Sequence, residues 1–222
     1  MKDITLIIPA KHEKESLPKV LEELRKYELN TLVILEPNDH ETIASIKDFN
    51  SKIIYQTNKG YGDALVLGIK NVNTEYFCIF NADGSFNPTE ILGMYSLLKK
   101  EHGDIIFASR YQGNAASDDD TIITRVGNFL FSFLGKVLFK LPITDILYTF
   151  VIGKTQKILD LDIQSHDFAF CVELPINSHK KKHKILSIES HERSRIGGKK
   201  KVNAFRDGLI ILKKMISLFL KN

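Results

Sequence analysis

A carboxylate at the end of an apolar segment is the feature of this sequence best suited to chemistry. Asn81-Ala82-Asp83-Gly84 directly follows the apolar residues 76–80. Asp83 could bind a hard divalent cation, because such cations are held by one or two carboxylates and completed by phosphate oxygens. The segment could equally be a plain turn, since Asn, Asp and Gly are the residues that turns favour. Its own residues leave both interpretations open.

Short apolar strands alternate with helices around this segment. Strands are predicted at residues 4–8, 31–35, 52–56 and 76–80, and Pro9 is expected to end the first of them. One helix is predicted to begin at Ser16, and two more are predicted at residues 41–49 and 62–71. Continuous apolar strands in this order predict an α/β fold with a mostly parallel sheet and helices on both faces. Ligands of such sheets bind outside the carboxyl ends of the strands. The loops after residues 8, 35, 56 and 80 are therefore the predicted site.

The second half of the chain is less regular. Further strands are predicted at 105–109 and 185–188, and further helices at 122–139 and 204–220. The helix at 122–139 is apolar on nearly every side, which favours a place in the core over contact with an apolar partner. The last helix spaces its apolar residues at helical intervals beside lysines, as an interfacial helix on anionic lipid does. Packing on the domain or on a dimer partner fits that helix equally well.

Composition and charge set the broad class. A chain of 222 residues with 43% apolar residues predicts one large domain, residues 1–202, with residues 203–222 as an amphipathic C-terminal helix. Residues 1–150 carry 16 Lys and Arg against 20 Asp and Glu, a net −4, whereas residues 151–222 carry 15 against 7, a net +8. The basic end indicates an anionic partner, with a solvated surface as the alternative.

Cysteine usage and the first residues bear on the compartment. Cys78 and Cys171 lie in apolar runs without CxxC or histidine spacing, which predicts neither a disulfide nor a zinc site. The apolar stretch at the start is too short for a signal peptide or a membrane span. We therefore expect a cytoplasmic protein.

Four motifs, in order, resemble the family 2 glycosyltransferases of the GT-A fold. They are Pro9-Ala10 with Glu13, Asn58-Lys59-Gly60-Tyr61-Gly62-Asp63-Ala64, Asn81-Ala82-Asp83-Gly84 at the family's Asp-x-Asp position, and Ser109-Arg110-Tyr111. The resemblance implies a Rossmann-like GT-A domain, a nucleotide-diphosphate sugar as donor, and a divalent cation, Mg²⁺ or Mn²⁺, as cofactor.

The C-terminal half is similar to the branch that contains the dolichyl- and polyprenyl-phosphate sugar synthases. The segments that carry this similarity are Thr124-Arg125-Val126-Gly127-Asn128, Thr144-Asp145-Ile146-Leu147-Tyr148-Thr149-Phe150, Glu173, and the basic loop from Glu192 to Lys201. The branch implies an inverting transfer to a polyprenyl phosphate or to a growing envelope glycan. The pattern of the last helix adds the expectation of peripheral contact with anionic membrane at the inner face of the plasma membrane, and a homo-oligomer is a further expectation.

The resemblance also implies roles for individual residues. The donor-binding residues are Pro9, Ala10, Glu13, Glu36, Asn58, Gly60, Asn81, Ala82 and Asp83; the phosphate or acceptor contacts are Arg110, Arg125, Arg193, Arg195, Lys199 and Lys201. Asp83 is the expected metal ligand, and Glu173 and Asp145 are the candidate general bases, although a lipid phosphate arrives ionised and needs none. The competing interpretations are a helix cap for Asp145, an exposed helix residue for Glu173 and solvated lysine for the basic loop.

Departures from the family pattern motivate an alternative function. Asn81 replaces the first aspartate of Asp-x-Asp, and Val151 replaces a common arginine. A catalytically weak protein that binds sugar nucleotides is therefore the second hypothesis. A nucleotidyltransferase is not indicated, because no glycine-rich arginine loop follows the first strand. The basic end lacks interleaved aromatic residues, so no nucleic-acid partner is expected.

Overall fold

A seven-stranded sheet lies at the centre of the molecule. The computed structural model describes residues 1–197 and 202–221. The strands are β1 (Ile4–Ala10), β2 (Asn30–Leu35), β3 (Lys52–Tyr55), β4 (Tyr76–Ile79), β5 (Ile105–Ser109), β6 (Ala116–Ser117), β7 (Val151–Lys154), β8 (Ile185–Glu189) and β9 (His191–Glu192). The large sheet has the order β3-β2-β1-β4-β7-β5-β8, in which only β7 is antiparallel to its neighbours, and β6 pairs with β9 in a small parallel sheet. The predicted mostly parallel α/β fold is confirmed.

Helices cover both faces of this sheet. They are α1 (Leu17–Leu24), α2 (His40–Ser45), α3 (Tyr61–Lys70), α4 (Thr89–Lys100), α5 (Ile122–Phe139), α6 (Thr155–Leu159), α7 (Phe170–Lys180) and α8 (Ala204–Leu220). Successive strand residues point to opposite faces, so Ile7 joins the apolar cluster under α3 and α7, while Leu6 and Ile8 join the cluster under α1 and α4. Two cores, one on each face, hold the strand ends in place.

The predicted end of β1 at Pro9 is wrong by two residues. The Ile7 carbonyl accepts a hydrogen bond from the Phe80 amide, so the backbone polar groups of Ile7 point toward β4. The backbone nitrogen of Pro9, two residues further on, points to the same side. β4 has already ended at Ile79, which pairs with Ile7. The missing N–H of Pro9 therefore costs no bond of the ladder, and the strand continues to Ala10.

α5 and α8 form an outer layer over α7. Phe131 on α5 and Ile211 and Met215 on α8 are buried in one cluster with α7. The prediction that residues 122–139 lie in the core holds for one side of α5 only, because Phe129 and Phe133 on its other side are exposed. The reason is geometric: α7 and α8 cover a single face of this helix.

Candidate functional site

The predicted donor residues lie along one edge of the sheet. From β1 the chain proceeds to β2 on one side, while β4 lies on the other side of β1, so a topological switch point separates β1 from β4. In open α/β sheets the crevice at such a point is the usual ligand site. The residues at the carboxyl ends of these strands are Pro9 and Ala10 in β1, Glu13 after it, Glu36 after β2, Asn58 and Gly60 after β3, and Asn81, Ala82 and Asp83 after β4.

Asp83 sits in a turn that fixes its carboxylate. Oδ1 accepts hydrogen bonds from the Ser85 amide at 3.0 Å and from Ser85 Oγ at 2.7 Å. Oδ2 lies 3.7 Å from a guanidinium nitrogen of Arg195. Gly84 completes the turn at φ +84°, where an added Cβ would be 2.4 Å from the Ile196 side chain. The interpretation of this segment as a turn and its interpretation as a cation ligand are thus compatible, because the turn itself orients the carboxylate.

The loop that contains Arg193 and Arg195 lies against this turn. The Arg193 amide donates to the Ser85 carbonyl and the Ile196 amide donates to the Asp83 carbonyl, both at 2.8 Å. The Arg193 guanidinium binds Glu23 at 2.9 and 3.0 Å and also donates to the Phe86 carbonyl. Arg193 therefore anchors the loop, and its role as a phosphate contact stays a prediction.

Arg195 is the cation that this loop presents to Asp83. Its guanidinium also binds Asp119 at 2.9 Å. The hydrogen bond with Asp119 raises the pKa of Arg195, although burial opposes the shift. Arg195 is thus a permanent positive charge beside Asp83. Lys199 and Lys201, predicted for the same loop, lie outside the described residues.

One carboxylate is available at the predicted metal position. Within residues 1–197 and 202–221, no group of three or more His, Cys, Asp and Glu side chains could hold a metal ion. Asp83 fits a different mode, in which one carboxylate binds the cation and phosphate oxygens and water complete the shell. Asn81, which is partly exposed two residues earlier, can add an oxygen but no charge.

The carboxylates after β1 and β2 hold the loops of this edge together. Lys11 binds Glu36 at 2.7 Å. Asp39 caps α2 and accepts a hydrogen bond from the His12 amide at 2.7 Å. Burial alone would raise the pKa of Asp39, but the hydrogen bonds from His12 and Thr42 lower it below its usual value. Glu13 is buried and accepts a hydrogen bond from a neighbouring serine hydroxyl. Among Glu13, Glu36 and Asp39, Glu36 is the one that pairs with a half-exposed lysine.

Asp63 is a site residue that the sequence interpretation did not single out. Its carboxylate accepts hydrogen bonds from Gln56 and Asn58, each at 3.2 Å, and lies 3.3 Å from Nδ1 of His166. Asp63 thereby orients the predicted donor residue Asn58. Asp63 lies within the family-like motif of residues 58–64. The sequence does not show its contact with His166, 103 residues later, because that contact depends on the fold.

Arg110 and Asp145 bind each other in the interior. Arg110 Nε lies 2.7 Å from Asp145 Oδ2, and its two terminal nitrogens bind Asp145 Oδ1 and Glu192 Oε2, each at 3.0 Å. Burial alone would lower the pKa of Arg110, but Asp145 and then Glu192 raise it well above its ordinary value. Asp145 is therefore not a helix cap, since no helix begins next to it. The role of Arg110 as a phosphate contact and that of Asp145 as a candidate base stay predictions, now for two residues that are paired with each other.

Glu173 is likewise buried and engaged. Its carboxylate binds Lys214 on α8 at 2.7 Å and accepts hydrogen bonds from the amides of Gln164 and Ser165 at 3.2 and 2.8 Å. The interpretation of Glu173 as an exposed helix residue is wrong, and its oxygens are occupied by partners other than an acceptor. Its role as a candidate general base stays a prediction. Arg125 lies exposed in the first turn of α5.

The fold and the carboxylate at its switch point define a glycosyltransferase of the GT-A type. The model of the family described as glycosyl transferase family 2 matches residues 5–161. This chain belongs to that family and is a nucleotide-sugar-dependent glycosyltransferase, a class that uses a divalent cation.

Relatives with similar sequences occur in bacteria and archaea. An uncharacterized glycosyltransferase of Mycobacterium tuberculosis is 24% identical over 208 residues, which cover 94% of this chain and 93% of the relative. An uncharacterized protein of Methanocaldococcus jannaschii is 23% identical over 148 residues, which cover 64% of this chain and 61% of the relative.

Solved structures support the fold. Glucosyl-3-phosphoglycerate synthase from Mycobacterium tuberculosis, in complex with UDP, matches with a TM-score of 0.79 at 10% identity, over 98% of this chain and 80% of that one. The same enzyme with Mn²⁺, UDP-glucose and phosphoglyceric acid matches with a TM-score of 0.77 at 10% identity and the same coverage.

Proposed function

We propose that this protein transfers a sugar, with inversion, from a nucleotide-diphosphate sugar to a polyprenyl phosphate or a growing envelope glycan at the inner face of the plasma membrane. The observation that carries the donor half is the turn-held carboxylate of Asp83, which faces Arg195 at the switch point. A carboxylate for a cation and a fixed guanidinium are the two groups that a diphosphate leaving group needs.

The reaction is a single displacement in this proposal. A bond forms between the acceptor oxygen and the anomeric carbon while the bond from that carbon to the diphosphate oxygen breaks, and its electron pair leaves with the diphosphate. Arg195, held by Asp119, stabilises the growing negative charge. A divalent cation bound by Asp83 would supply Lewis-acid stabilisation of the same charge.

The state of the two candidate bases favours an acceptor that is already ionised. Asp145 is paired with Arg110, and Glu173 is paired with Lys214. A hydroxyl acceptor requires a group that removes its proton, whereas a lipid phosphate attacks without one. The excess of positive charge in residues 151–222 is a second point in favour of an anionic acceptor.

Release of nucleoside diphosphate tests this proposal. The protein is incubated with a panel of sugar nucleotides and Mn²⁺ or Mg²⁺, alone, with polyprenyl phosphate, and with 3-phosphoglycerate, the acid related to the ligand of the solved neighbours. We expect release to accelerate with polyprenyl phosphate. Acceleration by 3-phosphoglycerate alone would replace the lipid acceptor by a soluble one.

A second candidate function is a catalytically weak sugar-nucleotide-binding protein. The observation that favours it is Asn81, which leaves Asp83 as the one carboxylate of the Asp-x-Asp position. Donor binding by calorimetry, without release of nucleoside diphosphate in any arm of the panel, would establish this alternative. The absence of both binding and release would contradict the two candidates together.

A further inference from the structure

The two outer helices carry an apolar surface that the transfer reaction does not use. On α5, Val126, Phe129, Phe133 and Val137 recur at helical spacing, and Leu209 and Ile216 continue the surface on α8. We call these six residues the outer helix face. Phe129 is 72% exposed and Leu209 is 60% exposed, although both are large apolar side chains.

The outer helix face is continuous across the two helices. A Cβ added to Gly208 on α8 would lie 3.9 Å from the ring of Phe131 on α5, and the rings of Phe139 and Phe219 are 6.0 Å apart near the other ends. The helices therefore lie side by side and run in the same sense, so their outward sides adjoin. Apolar residues grouped in this way mark an interaction surface, whereas scattered ones do not.

The exposed charged side chains of these two helices are all positive. Arg125, Lys136 and Lys140 are exposed on and after α5, and Arg206, Lys213 and Lys221 are exposed on and after α8. The sequence of α5 contains no acidic residue, and the acidic residue of α8, Asp207, is buried and accepts a hydrogen bond from the Asn203 amide. Both helices lie wholly within the described residues. Their exposed side thus combines apolar side chains with cations.

We propose that the outer helix face docks on an anionic lipid surface, with α5 and α8 lying in the plane of the interface. Apolar side chains enter the boundary of the acyl chains while Lys and Arg meet the anionic headgroups. This inference rests on the proposed function. It deepens that function by naming the surface through which the enzyme reaches an acceptor in the membrane.

Two other occupants of this face fit less well. By length and apolar composition α5 is the one helix among the described residues that could cross a membrane, but its Phe131 and Gly135 are buried against the domain. A second copy of the chain, related by a two-fold axis, would place the positively charged rim of one copy against the positively charged rim of the other. An anionic bilayer neutralises these charges instead.

Flotation with lipid vesicles tests the inference on the full chain without donor. The vesicles are phosphatidylcholine with about a third phosphatidylglycerol, compared with pure phosphatidylcholine. We expect the protein to float with the anionic vesicles and to be released by salt. The double variant Phe129→Ser, Phe133→Ser should bind about tenfold or more weakly, because two apolar anchors are lost.

A matched variant and two further measurements complete the test. Leu92→Ser replaces an exposed leucine of α4, on the other face of the sheet, and should float like the wild type. Thermal unfolding verifies that each variant is folded, and donor binding by calorimetry is scored separately, so that loss of docking is distinguished from loss of the donor site.

Three results would overturn the inference. They are failure of the wild type to float with anionic vesicles, equal flotation of the Phe129→Ser, Phe133→Ser variant, and light scattering that shows a wild-type dimer which this variant converts to a monomer without any vesicle binding. The last result would assign the face to a second copy.

Discussion

The two carboxylate oxygens of Asp83 have different surroundings. Oδ1 is bound by Ser85 through its amide and its hydroxyl, and Oδ2 faces Arg195 at 3.7 Å. One oxygen thus keeps the turn in shape while the other faces a guanidinium. A substitution that preserves the shape of this side chain but removes its charge separates the two contributions.

Asp83→Asn should abolish cation-dependent binding of the nucleotide. The amide oxygen can still accept from Ser85, but the charge that holds the cation is gone, at a cost of several kcal/mol or about 100-fold or more in affinity. Calorimetry with a panel of nucleoside diphosphates, with and without Mn²⁺, measures the effect. Asp48→Asn, at an exposed position, is the control and should bind normally. Unchanged affinity in Asp83→Asn would mean that the cation binds elsewhere.

Asn81→Asp should strengthen cation binding. Asn81 is the partly exposed neighbour of Asp83 in the same turn, and a second carboxylate there adds negative charge to the cation site. We expect Mn²⁺ affinity in the presence of nucleoside diphosphate to rise about tenfold, which corresponds to about 1.4 kcal/mol. Titration followed by electron paramagnetic resonance measures free Mn²⁺ directly. Equal affinities of the variant and the wild type would contradict a role for position 81 as a ligand.

At the scale of the elements, Arg110 joins parts of the chain that are distant in sequence. It follows β5 and binds Asp145 before β7 and Glu192 in β9, and it lies 3.6 Å from Asp120 just before α5. A buried cation with several carboxylate partners specifies how these elements meet, because each carboxylate would otherwise remain buried without a counter-charge.

Arg110→Met should therefore destabilise the protein strongly. The buried Asp145 loses its partner, and we expect a loss of about 3–5 kcal/mol in the free energy of unfolding, measured by denaturation with urea. Arg25→Met removes an exposed arginine that pairs with Glu22 and should cost less than about 1 kcal/mol. Comparable losses in the two variants would contradict the role of the buried cluster.

The parallel half of the sheet could be predicted because buried strands are continuous apolar runs. The sequence predicts β5, α5 and α8 with the observed bounds, and the donor edge follows from the rule on strand ends. It does not predict β7, whose four residues include Gly153 and insert antiparallel between β4 and β5. Tertiary packing decides which strands lie beside β7, and a local sequence pattern carries no information about it.

The same distinction applies to the contacts of the predicted site residues. Asp83 lies in a turn, and the partners of its carboxylate, apart from Arg195, are local in sequence. The roles of Arg110 and Asp145 depend on a contact between residues 35 positions apart, and that of Glu173 depends on a lysine of the last helix. By residue type alone, Arg110, Asp145 and Glu173 are all suitable for catalysis. Only the fold reveals that Arg110 binds Asp145 and that Glu173 binds Lys214.

At the scale of the whole molecule, acid should weaken the structure through carboxylates that are bound in the folded state. Asp104 accepts from the Lys184 amide at 3.0 Å and binds Lys154 at 3.0 Å, which ties β5, β7 and the start of β8 together. Burial alone would raise the pKa of Asp104, but these two partners lower it below its usual value of 3.8.

The sign of the pH dependence follows from this shift. Because the folded-state pKa is lower than the unfolded one, Asp104 contributes stability above pH 3.8, and the contribution is lost as the pH falls below that value. Asp104→Asn should lower the melting temperature at pH 7 and show a smaller further decrease between about pH 5 and pH 3 than the wild type. Differential scanning calorimetry measures both. An identical decrease in the two proteins would exclude Asp104 as a contributor.

Gly60 and Gly62 lie where the donor edge touches the chain before α7. A Cβ at Gly60 would be 2.0 Å from the His166 carbonyl oxygen, and one at Gly62 would be 2.5 Å from that of Ser165. The Ser165 amide in turn binds Glu173, which holds Lys214 on α8. Because neither glycine has a side chain, the predicted donor-binding loop packs directly on the backbone of residues 165 and 166. Through Glu173 and Lys214 this contact connects the predicted nucleotide site to α8, the last helix of the chain.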